Sequence, residues 1–140
     1  MKKVKDVIAG QTLRTIDPGQ PVGVAYHQMD SFGIHALAVF DGNKFVGLFT
    51  LTNATAAAFG QNGDRVKNYM TPASDIVFAS PEDSLSKCGE IMNKRHFHHM
   101  PVKDPITSKV VGMVSSLDLQ LGLEEERNEA TETARDMPAT

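Results

Sequence analysis

Val110-Val111-Gly112-Met113-Val114-Ser115-Ser116-Leu117-Asp118 reads as a short buried strand running straight into a helix. Val110 to Val114 is apolar and largely β-branched, the composition of a covered strand. Ser115 stands where a helix N-cap belongs, and Asp118 follows three residues later at capping-box spacing. A hydroxyl, unpaired backbone N–H groups and a carboxylate are thus gathered at the positive end of one helix. Such a place can hold a phosphate and a pair of sugar hydroxyls. Taken alone, the same residues are explained equally well as a helix cap.

The stretch has a weaker twin. Lys44-Phe45-Val46-Gly47-Leu48-Phe49-Thr50-Leu51-Thr52-Asn53 repeats its plan, with Thr50 for Ser115 and Asn53 for Asp118, 65 residues earlier. Other segments recur at nearly that spacing. Val66-Lys67-Asn68-Tyr69-Met70 answers Val4-Lys5-Asp6-Val7-Ile8 at 62 residues. Leu85, Cys88 and Met92 answer Val22, Ala25 and Met29 at 63 residues. An internal repeat of this length marks tandem structural units, each too small to cover its own sheet.

The repeat places the elements. Thr12 to Ile16 alternates as a strand, and Asp17-Pro18-Gly19-Gln20 reads as a helix start capped by Asp17. Ile34 to Phe40 and Phe45 to Phe49 form a hairpin through Asp41-Gly42-Asn43. An alanine-rich helix over Ala54 to Phe59 is closed by Gly60. In the second half, Ile76 to Ala79 is the strand and Ser80-Pro81-Glu82-Asp83 the helix start. Phe97 to Lys103 leads through the turn Asp104 to Ser108 into the stretch quoted above. The expected fold is α/β (α+β): two tandem β-α-β-β-α repeats with pseudo-twofold symmetry and sheets packed against each other. The expected boundaries are residues 4–60 and 66–123, with a linker at 61–65 and a polar tail at 124–140. Glu124-Glu125-Glu126 opposes the dipole of the last helix, so the helix is expected to fray and Asn128 to Thr140 to be a disordered or partner-dependent tail.

The bulk numbers remove several classes of function. With 140 residues, 41% hydrophobic and 22% charged, the chain is an ordinary globular sequence. Its net charge of −3 supplies no basic field for nucleic acid. No apolar run approaches the roughly 20 residues needed to span a bilayer, and no signal-peptide pattern follows Met1-Lys2-Lys3. The single Cys88 excludes an internal disulfide and fits a cytoplasmic setting. Gly42-x-x-x-x-Gly47 is followed by Leu48 and is no phosphate-binding loop. No nucleophile triad or carboxylate pair stands out, so the chain is not read as an enzyme.

Taken in order, these motifs resemble a tandem pair of CBS domains, the regulatory module of the cystathionine-beta-synthase type. The resemblance rests on the lead-ins Val4-Lys5-Asp6-Val7 and Val66-Lys67-Asn68-Tyr69-Met70-Thr71-Pro72. It rests also on the strand His99-Met100-Pro101-Val102-Lys103-Asp104 and on Gly112-Met113-Val114-Ser115-Ser116-Leu117-Asp118, and it covers residues 4 to 123. It implies a regulatory module with two clefts, usually a homodimer, that binds an adenosine-containing ligand and signals to an effector protein. AMP, ADP or ATP is the expected ligand, with S-adenosylmethionine or NAD as further members of the class; no catalytic cofactor is implied.

By the same resemblance, one cleft combines Ser115, Asp118 and Met113 with Thr12, Leu13, Ile34 and His35. The other combines Thr50 and Asn53 with Ile76, Phe97, His98 and Pro101. Two departures weaken the second: Asn53 replaces the usual Asp, and Ala38 stands where the other repeat has Pro101. An amide is the poorer acceptor for two ribose hydroxyls. Two other readings compete. One is a ligand-free dimerisation scaffold. The other is a metal protein built on His96, His98 and His99, although no Cys or carboxylate completes a tetrahedral set nearby.

Overall fold

A computed structural model describes residues 1–135, with side chains described through 131. The chain divides into two compact units. A central unit holds Thr12–Val77, and a flanking unit joins Met1–Gln11 to the chain from Phe78 onward.

The central unit contains β1 (Thr15–Ile16), α2 (Val22–Phe32), β2 (Ala36–Asp41), β3 (Lys44–Thr50), α3 (Leu51–Ala56), α4 (Val66–Tyr69) and β4 (Thr71–Pro72). Its sheet runs in the order β1-β2-β3-β4, with β1 parallel to β2 and the other pairs antiparallel. Asp41 pairs with Lys44 across a two-residue turn, where Gly42 takes the φ of +61° that the turn demands. Ile16, Val22, Ala25, Met29, Leu37, Val39, Phe49, Ala54, Ala57 and Val66 form one buried cluster. The apolar face of α2 therefore lies on the inner side of the β2–β3 hairpin.

The flanking unit contains α1 (Val4–Ile8), α5 (Leu85–Arg95), β5 (His99–Lys103), β6 (Val110–Ser115) and α6 (Ser116–Arg135). β5 and β6 form an antiparallel pair. Val4, Leu85, Cys88, Met92, Met100, Val102, Val114 and Leu119 are buried. Leu85, Cys88 and Met92 occupy the places that Val22, Ala25 and Met29 take in the central unit.

The lead-in helices follow one rule. Val66 and Lys67 donate backbone N–H groups to the carbonyls of Gln20 and Pro18. Val4 and Lys5 do the same to Asp83 and Pro81. Each lead-in thus packs on the helix start of the other sequence repeat, and the chain passes between units after Gln11 and after Val77.

Local structure departs from the sequence reading at several places. Asp17 caps a turn, not a helix: its Oδ1 accepts from Gly19 N–H, and α2 begins five residues later behind Pro21. In the other unit Asp83 accepts from Ser80 N–H, and Ser84 is the N-cap of α5. The strand expected at Ile76 to Ala79 reduces to one bridge, Ala79 to Val102. The reason is Pro101, which has no N–H at the position where Ala38 donates to the Arg14 carbonyl at 3.0 Å. The strand expected from Thr12 starts only at Thr15. The helix expected over Ala54 to Phe59 stops at Ala56. There the backbone turns left-handed at Ala58, Phe59 and Gly60, and Gly60 lies so close to Gly23 that a Cβ would come within 2.4 Å of its nitrogen.

The acidic segment shows the largest departure. α6 continues through Asn128 to Arg135 instead of fraying. Lys2 supplies the missing counter-charge. Its ammonium lies 2.5 Å from Glu125 and 3.9 Å from Glu129, and its backbone N–H donates to Glu126. The rest of the expected tail, residues 136–140, lies outside the described residues.

Candidate ligand-binding site

In the flanking unit, β6 passes into α6 with no intervening loop. Ser115 N–H donates to Asp118 Oδ2 at 2.9 Å, and Asp118 N–H donates to Ser115 Oγ at 3.1 Å. This is a reciprocal capping box at the end of a twenty-residue helix. Ser116 N–H donates to the His98 carbonyl at 2.8 Å and ties the helix start to the strand before it. The box uses one carboxylate oxygen. Among the described residues no donor reaches Asp118 Oδ1. Ser115 and Asp118 are both half-buried. A carboxylate so placed, at the positive end of a helix, can accept from hydroxyl groups brought by a ligand.

The central unit has the same box with different chemistry. Asn53 Oδ1 accepts from both Thr50 N–H at 2.8 Å and Thr50 Oγ1 at 3.0 Å, and Asn53 N–H donates to Thr50 Oγ1 at 3.3 Å. The amide oxygen is thus shared between two internal donors, and the remaining NH₂ can only donate. The helix behind it, α3, has six residues. Leu51 N–H donates to the His35 carbonyl at 2.9 Å, the counterpart of the Ser116–His98 bond.

The sequence-predicted residues fall into these two settings. Thr12, Leu13, Ile34, His35 and Ile76 belong to the central unit with Thr50 and Asn53. Phe97, His98, Pro101 and Met113 belong to the flanking unit with Ser115 and Asp118. Within each unit the cap meets the strand of its own repeat. His35 and His98 are exposed, Ile34 and Phe97 are half-buried, and Pro101 is buried within β5, opposite Met113.

One residue at this site escaped the sequence reading. Gln11 donates from Nε2 to the Met113 carbonyl at 2.9 Å and accepts Met113 N–H on Oε1 at 2.9 Å. No motif announces it. The only available signal was a mismatch between repeats, since the matching segment Thr71-Pro72-Ala73 carries no side-chain amide.

Among the described residues, no three His, Cys, Asp or Glu are grouped to hold a metal ion. His96 instead ends α5 in the left-handed conformation, φ +59°, where the central unit uses Gly33 at +63°. Cys88 is buried, and burial pushes its thiol up to about 11, far from a reactive thiolate. No helix among the described residues is long and apolar enough to cross a membrane.

Comparison with known proteins bears on the family and the fold. The family model described as CBS domain matches residues 4–60 and 66–124. Over 120 residues the chain is 26% identical to the inosine-5'-monophosphate dehydrogenase of Methanocaldococcus jannaschii, covering 85% of this chain and 23% of that protein. It likewise spans only 31% of an uncharacterized protein of the same organism. Among solved structures, the CBS domain pair of MJ0100, bound to 5'-methylthioadenosine and S-adenosyl-L-methionine, superposes with a TM-score of 0.79 at 23% identity. That match covers 90% of this chain and 98% of the other. CBSX2 in complex with AMP superposes with a TM-score of 0.78 at 20% identity, covering 91% and 99%.

Proposed function

Since the chain belongs to the CBS-domain family, we propose that it is a non-catalytic regulatory module whose ligand is an adenine nucleotide, bound at the Ser115–Asp118 helix end. The observation that carries this reading is the Asp118 carboxylate: one oxygen holds the cap and the other is left for a ligand. The two ribose hydroxyls of AMP, ADP or ATP are suited to that oxygen, and their phosphates to the N-terminus of α6. The adenosine ligands of the MJ0100 and CBSX2 structures support the choice of class. S-adenosylmethionine and NAD share the adenosine half. The Thr50–Asn53 end, with its oxygen engaged and a short helix behind it, is the weaker seat.

Ligand binding would act by favouring one population of the module over another, and so reach an effector protein. The assembly proposed for this is a homodimer. Leu117 and Leu121, one turn apart on α6, are 60% and 50% exposed and support association through that helix. Sedimentation of the wild type and of Leu121→Lys tests it: a dimer that becomes a monomer is expected, and an unchanged state would remove α6 from the interface.

A thermal-unfolding panel with AMP, ADP, ATP, NAD and S-adenosylmethionine tests the ligand. A nucleotide at a hundred times its Kd adds about 2.7 kcal/mol to the folded state and raises Tm by several degrees. The rise should be absent in Asp118→Asn. No rise with any member at millimolar concentration would favour the scaffold reading.

A further inference from the structure

The two units close the edge of their second hairpin strand by different means. In the central unit, β4 does it with main chain: Thr71 pairs with Leu48 and Pro72 with Gly47. In the flanking unit, Met113 stands at the position of Leu48, and its N–H and C=O are both taken by the side chain of Gln11. β6 lies in a two-stranded sheet with β5, and Met113 faces Pro101 across it. A main-chain strand is a fixed closure. A glutamine amide on rotatable bonds is not, and Gln11 is exposed.

We propose that Gln11 is a displaceable cover on the Met113 main chain, and that the base of the bound nucleotide replaces it. This rests on the adenine-nucleotide reading above and adds the regulation of that site. A buried N–H and C=O left unmet are costly, so the empty site needs a cover. The amide presents an acceptor beside an NH₂ donor. The N1 and N6 edge of adenine presents the same pair, so the exchange replaces each hydrogen bond with its equivalent. Met113 lies two residues before Ser115, roughly 7 Å along the strand, which suits a base at Met113 and a ribose at Asp118. Gly112 permits the close approach: a Cβ there would meet Gln11 Oε1 at 3.2 Å and Ile8 Cδ1 at 3.1 Å. Gln11 then competes with the ligand and lowers its apparent affinity by the fraction of time the cover is shut.

The test is calorimetric titration of AMP into the wild type, Gln11→Ala and Asp118→Asn, with the ¹⁵N side-chain amide signal of Gln11 followed in the wild type. Removing the cover should tighten AMP binding about threefold to tenfold, the worth of one internal hydrogen bond or slightly more. N6,N6-dimethyl-AMP, which has no N6 donor, should gain nothing from Gln11→Ala. The Gln11 NH₂ signal should move on AMP saturation, a readout that stands even if Gln11→Ala folds poorly. AMP affinity unchanged or weaker in Gln11→Ala, or a Gln11 signal that stays in place at saturation, would overturn the cover while leaving the nucleotide reading intact. Absence of AMP uptake by the folded wild type would overturn both.

Discussion

At the scale of single residues, Asp118 and Asn53 separate two roles that share one motif. Both cap a helix, but only Asp118 keeps a carboxylate oxygen outside the cap. Asp118→Asn retains an acceptor for Ser115 N–H, so its loss of stability should stay within about 0.5 kcal/mol, whereas Asp118→Ala leaves the Ser115 hydroxyl on the helix end but removes the bond from Ser115 N–H, and should cost about 1 kcal/mol. Chemical denaturation of the two variants checks this; equal losses would mean that Asn does not cap here. His96 is a different case. Its left-handed backbone, φ +59°, is the position Gly33 fills in the central unit. His96→Gly should therefore raise the urea midpoint, by about 0.5–1 kcal/mol of stability. A lower midpoint would show that the imidazole has a packing role of its own. Glu82 is held below its ordinary value of 4.5, first by its hydrogen bond with the Lys3 ammonium and then by that with Lys5. A depressed carboxylate stabilises the fold above its ordinary value and loses that contribution as pH falls through the lower folded value. The Tm gap between wild type and Glu82→Gln should be present at neutral pH and close under acid conditions. A gap that persisted in acid would contradict the ion pairing.

At the scale of elements, two glycines at equivalent places set how closely a neighbouring segment approaches a strand. A Cβ on Gly47 would sit 2.5 Å from the Thr71 carbonyl oxygen. On Gly112 it would meet side-chain atoms of Ile8 and Gln11 at 3.1–3.2 Å. Backbone in a paired strand cannot yield, but side chains can. Gly47→Ala should cost more than about 2 kcal/mol and Gly112→Ala about 1 kcal/mol; the reverse order in denaturant would contradict the packing. The helical faces and both hairpins were legible because apolar spacing and turn chemistry are local signals. Val22, Ala25 and Met29, and their counterparts Leu85, Cys88 and Met92, came from spacing alone. The strand at Ile76 was misplaced because a ladder depends on its partner, and Pro101 withholds the N–H. The extent of α6 was missed because Lys2, more than 120 residues away in sequence, offsets its acidic turn. Ser115 and Asp118 were legible as a repeated motif, whereas Gln11 was not, because a lone glutamine has no pattern until its strand is in place.

At the scale of the whole molecule, the sequence repeats and the compact units are not the same segments. Residues 12–77 form one unit and carry the lead-in helix of the second repeat. A fragment of residues 12–77 should therefore melt more cooperatively than one of residues 4–60, which lacks α4; calorimetry of the two peptides decides it, and a sharper transition in 4–60 would contradict the division. The family membership and the ligand proposal meet at one carboxylate. The most direct measurement is calorimetric titration of AMP into the wild type, Asp118→Asn and Asn53→Asp. The account predicts saturable binding in the wild type, loss of at least tenfold in affinity in Asp118→Asn with the fold intact, and stronger uptake at the second end in Asn53→Asp. Binding that survives undiminished in Asp118→Asn would contradict it.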